Sequence, residues 1–151
     1  MEGILSSTNS VITSLTAIKE GTAGLNEHRR ALLNRVPNTG DWAKMNLNYV
    51  EVIDLAYLSA ATDDEFALLR GKKSDIILHG SELKCVFSDE LLTLLKAKAL
   101  RLVAHSHPDF DMICPSQEDI NFLRLIGQKD SLIVSSYTGQ QLRYYSYFEI
   151  Y

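Results

Sequence analysis

The sequence predicts a single domain of α/β or α+β class, a β-sheet packed with helices, on three observations. Its 151 residues suit one compact domain and are too few for a large barrel. Hydrophobic residues make up 46% and charged residues 23%, so the chain can bury a core of its own. Segments with the helical period alternate with short β-rich runs, the pattern that layers helices on a sheet.

The elements follow in chain order. Residues 4–35 carry Ile4, Val11, Ile12, Leu15, Ile18, Leu25, Leu32 and Leu33 mostly at steps of three, four or seven. This spacing predicts one or two amphipathic helices with a break near Gly21 and Gly24. The turn cluster Pro37-Asn38-Thr39-Gly40-Asp41 closes the segment. Residues 1–40 are therefore read as an N-terminal helical extension and residues 41–151 as the main domain. The alternation of Leu47, Tyr49, Glu51, Ile53, Leu55 and Tyr57 predicts a strand. Residues 66–70 and 75–80, separated by Gly71-Lys72-Lys73-Ser74, predict a hairpin, with residues 83–87 as a further strand. Ser88 caps a helix running to about Ala99, and residues 100–104 form a short buried strand that ends at His105. Ser116 caps a second helix closed by Gly127, and residues 131–135 and 141–151 supply the last strands.

Composition limits the function. Fifteen Lys and Arg against nineteen Asp and Glu give a net charge of −4, without the basic footprint of a nucleic-acid binder. No stretch approaches the roughly 18–20 apolar residues of a membrane helix. Residues 1–20 lack the basic start and apolar run of a signal peptide. Two cysteines, Cys85 and Cys114, are too few for a disulfide framework. A cytoplasmic protein that binds neither nucleic acid nor membrane is expected, with secretion as part of a longer chain left open.

The chemistry gathers at His105, His107, Ser116 and Asp119. Two histidines at i and i+2 on a strand point to one side, so their imidazoles can converge on one ion. An Asp in the first turn of the next helix can supply a third ligand, and three protein ligands plus water is the pattern of a catalytic zinc site. Ser116-Gln117-Glu118-Asp119 is equally a helix-capping box with Asp in place of Glu, and both roles can hold at once. Other His-x-His chemistries fail on their companions. Phe110 follows His105-Ser106-His107-Pro108-Asp109 where a metallo-β-lactamase-like site needs His, and the Pro-Cys-x-x-Cys of zinc deaminases is missing. His28 and His79 read as surface or polar-core residues, Glu51 and Glu82 as solvated, and Cys114 as small apolar filler.

Taken together, Glu65, His105-Ser106-His107-Pro108 and Ser116-Gln117-Glu118-Asp119 resemble the JAMM (JAB/MPN-plus) zinc metalloproteases, whose signature is an upstream Glu, His-Ser/Thr-His-Pro, then Ser-x-x-Asp. The resemblance spans roughly residues 50–140. The spacer Pro108 to Pro115 is one residue longer than the family's. Glu65-Phe66-Ala67-Leu68-Leu69-Arg70-Gly71 looks like the family's Glu-bearing strand with one residue fewer, and aligning from Gly71 places Asp64 there instead. The longer Glu side chain matches the family and favours Glu65.

The resemblance implies an MPN/JAB-like (cytidine-deaminase-like) mixed β-sheet between helices. It implies zinc-dependent hydrolysis of a peptide or isopeptide bond, with Zn²⁺ on His105, His107 and Asp119, Glu65 as general base and Ser116 as oxyanion donor. The substrates it implies are proteins or peptides, including ubiquitin-like modifier conjugates. The rival is a non-catalytic MPN-type interaction module, or an accessory domain of a larger bacterial toxin or conflict system. Residues 1–40 are then a surface for homodimerisation or partner docking.

Overall fold

The computed structural model describes residues 2–108 and 114–147, with side chains from Ser10 onward. In chain order the elements are α1 Glu2–Lys19, α2 Glu27–Arg35, β1 Trp42–Asn46, α3 Val52–Thr62, β2 Phe66–Arg70, β3 Ser74–His79, α4 Asp89–Lys96, β4 Arg101–His107, α5 Gln117–Ile126, β5 Asp130–Ser135 and β6 Gln141–Tyr145. The strands form one mixed sheet in the order β1-β3-β2-β4-β5-β6. β4 and β5 run parallel, joined through α5, and the other pairings are antiparallel. Among the described residues no helix is long and apolar enough to cross a membrane.

Helices cover both faces. One core cluster joins α1, α2 and α3 to the sheet through Leu15, Leu32, Leu55, Leu58, Leu68, Ile77 and Ala104. The second joins α4 and α5 to the opposite face through Leu69, Leu78, Leu91, Leu95, Leu102, Leu123 and Ile133. Alternation along β2 divides them, with Phe66 and Leu68 on the first face and Ala67 and Leu69 on the second. The helices of residues 1–40 thus share a core with α3 and the sheet, burying Leu15, Leu32 and Val36 completely. α1 also presses on the β5–β6 turn. Gly139 has φ +74°, and a Cβ there would lie 2.7 Å from Val11 Cγ1, so glycine is required both by conformation and by space.

Two expectations are corrected. Residues 47–57 are not a strand: β1 ends at Asn46, and α3 begins at Val52. Every residue from Asp54 to Ala60 is buried, so the helix shows no polar face, and its Val, Ile and Tyr content imitates a strand. Residues 83–87 are a loop, entered by a turn in which Ser81 Oγ accepts from the N–H groups of Leu83 and Lys84. The expected hairpin forms as β2 and β3, and Ser88 and Ser116 cap α4 and α5 through their side chains. The last expected strand ends at Tyr145, and residues 148–151 lie outside the described part.

Candidate metal centre

The strand carrying both histidines contains a register shift that decides where they point. Against β2, Leu68 pairs with Ala104 but Leu69 pairs with Leu102, so β4 holds one extra residue there. Leu102 belongs to the α4–α5 face, and strict alternation would send His105 and His107 toward α3. The bulge reverses the phase beyond it. His105, paired with Ala67, therefore faces α5, while Ser106 faces α3. There the Ser106 hydroxyl hydrogen-bonds Ser59 Oγ and accepts from the Phe66 N–H at 2.9 Å. The middle residue of the His-Ser-His run thus ties β4 to α3 and to the start of β2.

α5 supplies the carboxylate. The capping box is complete: Ser116 Oγ accepts from the Asp119 N–H at 3.0 Å, and Asp119 Oδ2 accepts from the Ser116 N–H at 2.9 Å. The same carboxylate meets both rings, with Oδ1 3.3 Å from His105 Nε2 and Oδ2 3.3 Å from His107 Nε2. The two Nε2 atoms are 3.0 Å apart. One ligand atom from each of the three residues falls within 4.8 Å of the others, so the group could hold a metal ion. Side-chain exposures of 6%, 11% and 18% for His105, His107 and Asp119 make the point sheltered yet reachable. Burial raises the Asp119 carboxyl, but hydrogen bonds from His105, His107 and the Ser116 N–H outweigh it and hold the group far below the usual carboxylate range.

Glu65 joins them by strand geometry. Ala67 pairs with His105 in an antiparallel register, and continuing it two residues outward sets Glu65 against His107, on the face toward α5. The backbone is clamped there: the Glu65 N–H donates to Ser81 O at 2.8 Å, and Glu65 O accepts from Gly80 at 2.7 Å. Glu65 is 8% exposed and lines the same cavity as His105, His107, Ser116 and Asp119. Asp64, one step away in the pleat, turns to the other face. Its Oδ2 pairs with His79 Nε2 at 2.7 Å, and His79 Nδ1 donates to Val36 O at 2.7 Å.

Several neighbours carried no signal in the sequence. Tyr144 of β6 packs edge-on to His105 with its hydroxyl 3.4 Å from Nδ1. A ring that presents Nε2 to an ion would carry its proton on Nδ1, where the Tyr144 oxygen stands as an acceptor. Burial, aided by the charge of Asp119, pushes the Tyr144 phenol well above its ordinary value, so it stays neutral. Cys85 lines the cavity, and burial with the nearby carboxylates of Glu65 and Asp119 pushes its thiol up, which keeps it protonated. Cys114 is exposed and so is not core filler. His28 pairs with Asp54, Glu51 precedes α3, and Glu82 is exposed. No protein-family model matches this chain, and no curated protein or solved structure does so either.

Proposed function

We propose that the protein is a zinc-dependent hydrolase of peptide or isopeptide bonds on an MPN/JAB-like fold. The observation that carries this reading is the convergence of His105, His107 and Asp119 in the wall of a cavity that also holds Glu65 and Ser116. A helix-flanked mixed sheet with these residues at the end of β4 and the start of α5 supports the fold assignment. Two imidazoles and a carboxylate are a donor set that suits zinc and leaves a fourth position for water or substrate. Bound there, zinc supplies Lewis-acid polarisation of the scissile carbonyl and a water more acidic than bulk.

The chain's own residues do the rest. Glu65 sits beside the ligands, where its carboxylate takes a proton from the attacking water and returns it to the leaving amine. The Ser116 hydroxyl accepts the Asp119 N–H through a lone pair, so its own hydrogen stays available to donate to the oxyanion. The capping box that engages Ser116 also orients Asp119, and Tyr144 holds the His105 tautomer that presents Nε2.

The test is Glu65→Gln in the zinc-loaded protein, with metal content and hydrolysis of peptides and modifier conjugates measured together. Zinc stays near one ion per chain while turnover falls by ~10²–10⁴. A protein that takes up no zinc at neutral pH, or that hydrolyses equally well as Glu65→Gln, overturns the reading in favour of a non-catalytic interaction module.

A further inference from the structure

Resting on the hydrolase reading, we infer that the cavity beside the candidate ligands is a side-chain subsite. It takes an apolar residue of leucine or phenylalanine size at the position that contributes the scissile carbonyl. The cavity has a volume of about 240 Å³, below the ~300–1,000 Å³ of drug-sized ligand sites, so it suits one side chain with its adjoining carbonyl. Its lining combines a polar set, Glu65, His105, His107 and Asp119, with an apolar set, Leu83, Phe87, Leu102 and Phe122. A peptide unit combines the same two, a polar carbonyl two bonds from the start of its side chain.

The apolar set is built from separate elements. Phe87, just before α4, stacks on Phe122 of α5 with ring centroids 4.5 Å apart and planes 19° from parallel. Phe122 follows Asp119 by three residues on α5, so the aromatic wall stands on the helix face that carries the ligand. Leu102 lies at 2% exposure, and Leu83, 80% exposed, stands on the loop that borders the cavity. A glycine at this position leaves the apolar set uncovered. An acidic side chain meets Glu65 and Asp119, with Glu118 also lining the space and Lys84 its one ammonium group. Leucine or phenylalanine matches both size and polarity.

The experiment measures binding of N-acetyl hydroxamates of Gly, Leu, Phe and Asp to the zinc-loaded full chain by calorimetry. The hydroxamate group is common to all four, so differences report the side chain. Leu and Phe bind at least about tenfold more tightly than Gly, and Asp binds more weakly than Gly. Phe122→Ala brings the Leu-to-Gly ratio below about threefold and leaves the Gly compound unchanged. Leu83→Ala, at a position too exposed to threaten the fold, lowers the same ratio by a smaller factor. Equal binding across the series, a preference for Gly, or a ratio unmoved by both variants overturns the subsite. The series reads the subsite whether or not a peptide is cut, so absent hydrolysis with a retained Leu preference refutes only the hydrolase reading. Failure to load zinc refutes both.

Discussion

The two faces of the sheet use the same residue types for opposite ends. On the α1–α3 face, Asp54 is 2% exposed, and protein donors surround its carboxylate. Arg29 Nε lies 2.9 Å from Oδ1, with His28 Nε2 at 3.0 Å and the Glu51 N–H at 2.9 Å from Oδ2. Arg29 also lies over the Tyr57 ring, 3.8 Å from its centroid. The charge of Asp54 is spent on holding α2 against α3. On the α4–α5 face, Asp119 meets two imidazoles and a backbone N–H, and no Lys or Arg pairs with it among the described residues. The guanidinium of Arg29 neutralises the Asp54 carboxylate within the fold, whereas the Asp119 carboxylate and the two imidazoles form a group that could hold a metal ion. On the first face the carboxylate ties helix to helix, and on the second it lines a cavity.

That contrast breaks most severely at Leu15. It is completely buried between α1 and α3, next to the β5–β6 turn. Leu15→Ala is expected to lower unfolding free energy by about 2–5 kcal/mol while the zinc content of the folded fraction stays unchanged. Chemical denaturation paired with metal analysis checks both halves. A loss below about 1 kcal/mol would show that the helices of residues 1–40 are peripheral to the core.

His107→Ala is the opposite intervention. It removes one of three candidate ligands from a cavity wall that bears little of the core, so the expected outcome is that zinc is lost while the apoprotein unfolds within about 1 kcal/mol of the parent apoprotein. The parent gains stability on adding zinc by the linkage RT ln(1 + [L]/Kd), and the variant does not. Melting curves with and without zinc read this, and an equal zinc-induced shift in both proteins would remove His107 from the ligand set.

The same contrast explains what could be read before the structure. His105 and His107 were legible because i, i+2 spacing fixes a shared side whatever the strand's surroundings, and Ser116 and Asp119 because capping chemistry is local. Which side the histidines share depends on a bulge near Leu102 that leaves no mark in composition. α3 reads as a strand in the sequence because burial from Asp54 to Ala60 erases the polar stripe that reveals a helix. β1, a five-residue edge strand, is too short for its alternation to stand out. Phe87, Phe122 and Tyr144 reach one cavity from a loop, a helix and an edge strand. No spacing rule links such positions, so only the tertiary fold gathers them.

The smallest expected effect separates adjacent residues on opposite faces. Asp64 and Glu65 are both acidic, and sequence alignment alone permits either as the base. The pleat assigns them differently: Glu65 faces the cavity, while Asp64 pairs with His79, which stacks on Phe66 at 4.3 Å and reaches Val36 O beyond α2. Asp64→Asn keeps an oxygen acceptor for His79 and loses only its charge, so the cost is about 1–2 kcal/mol of stability. Zinc content is unchanged, and hydrolysis stays within a few-fold of the parent. Glu65→Gln has the reverse profile, nearly unchanged in stability and depleted in turnover. Measuring unfolding and hydrolysis on both variants places each residue on its face, and a large loss of turnover in Asp64→Asn at intact zinc content would transfer the role of base to Asp64.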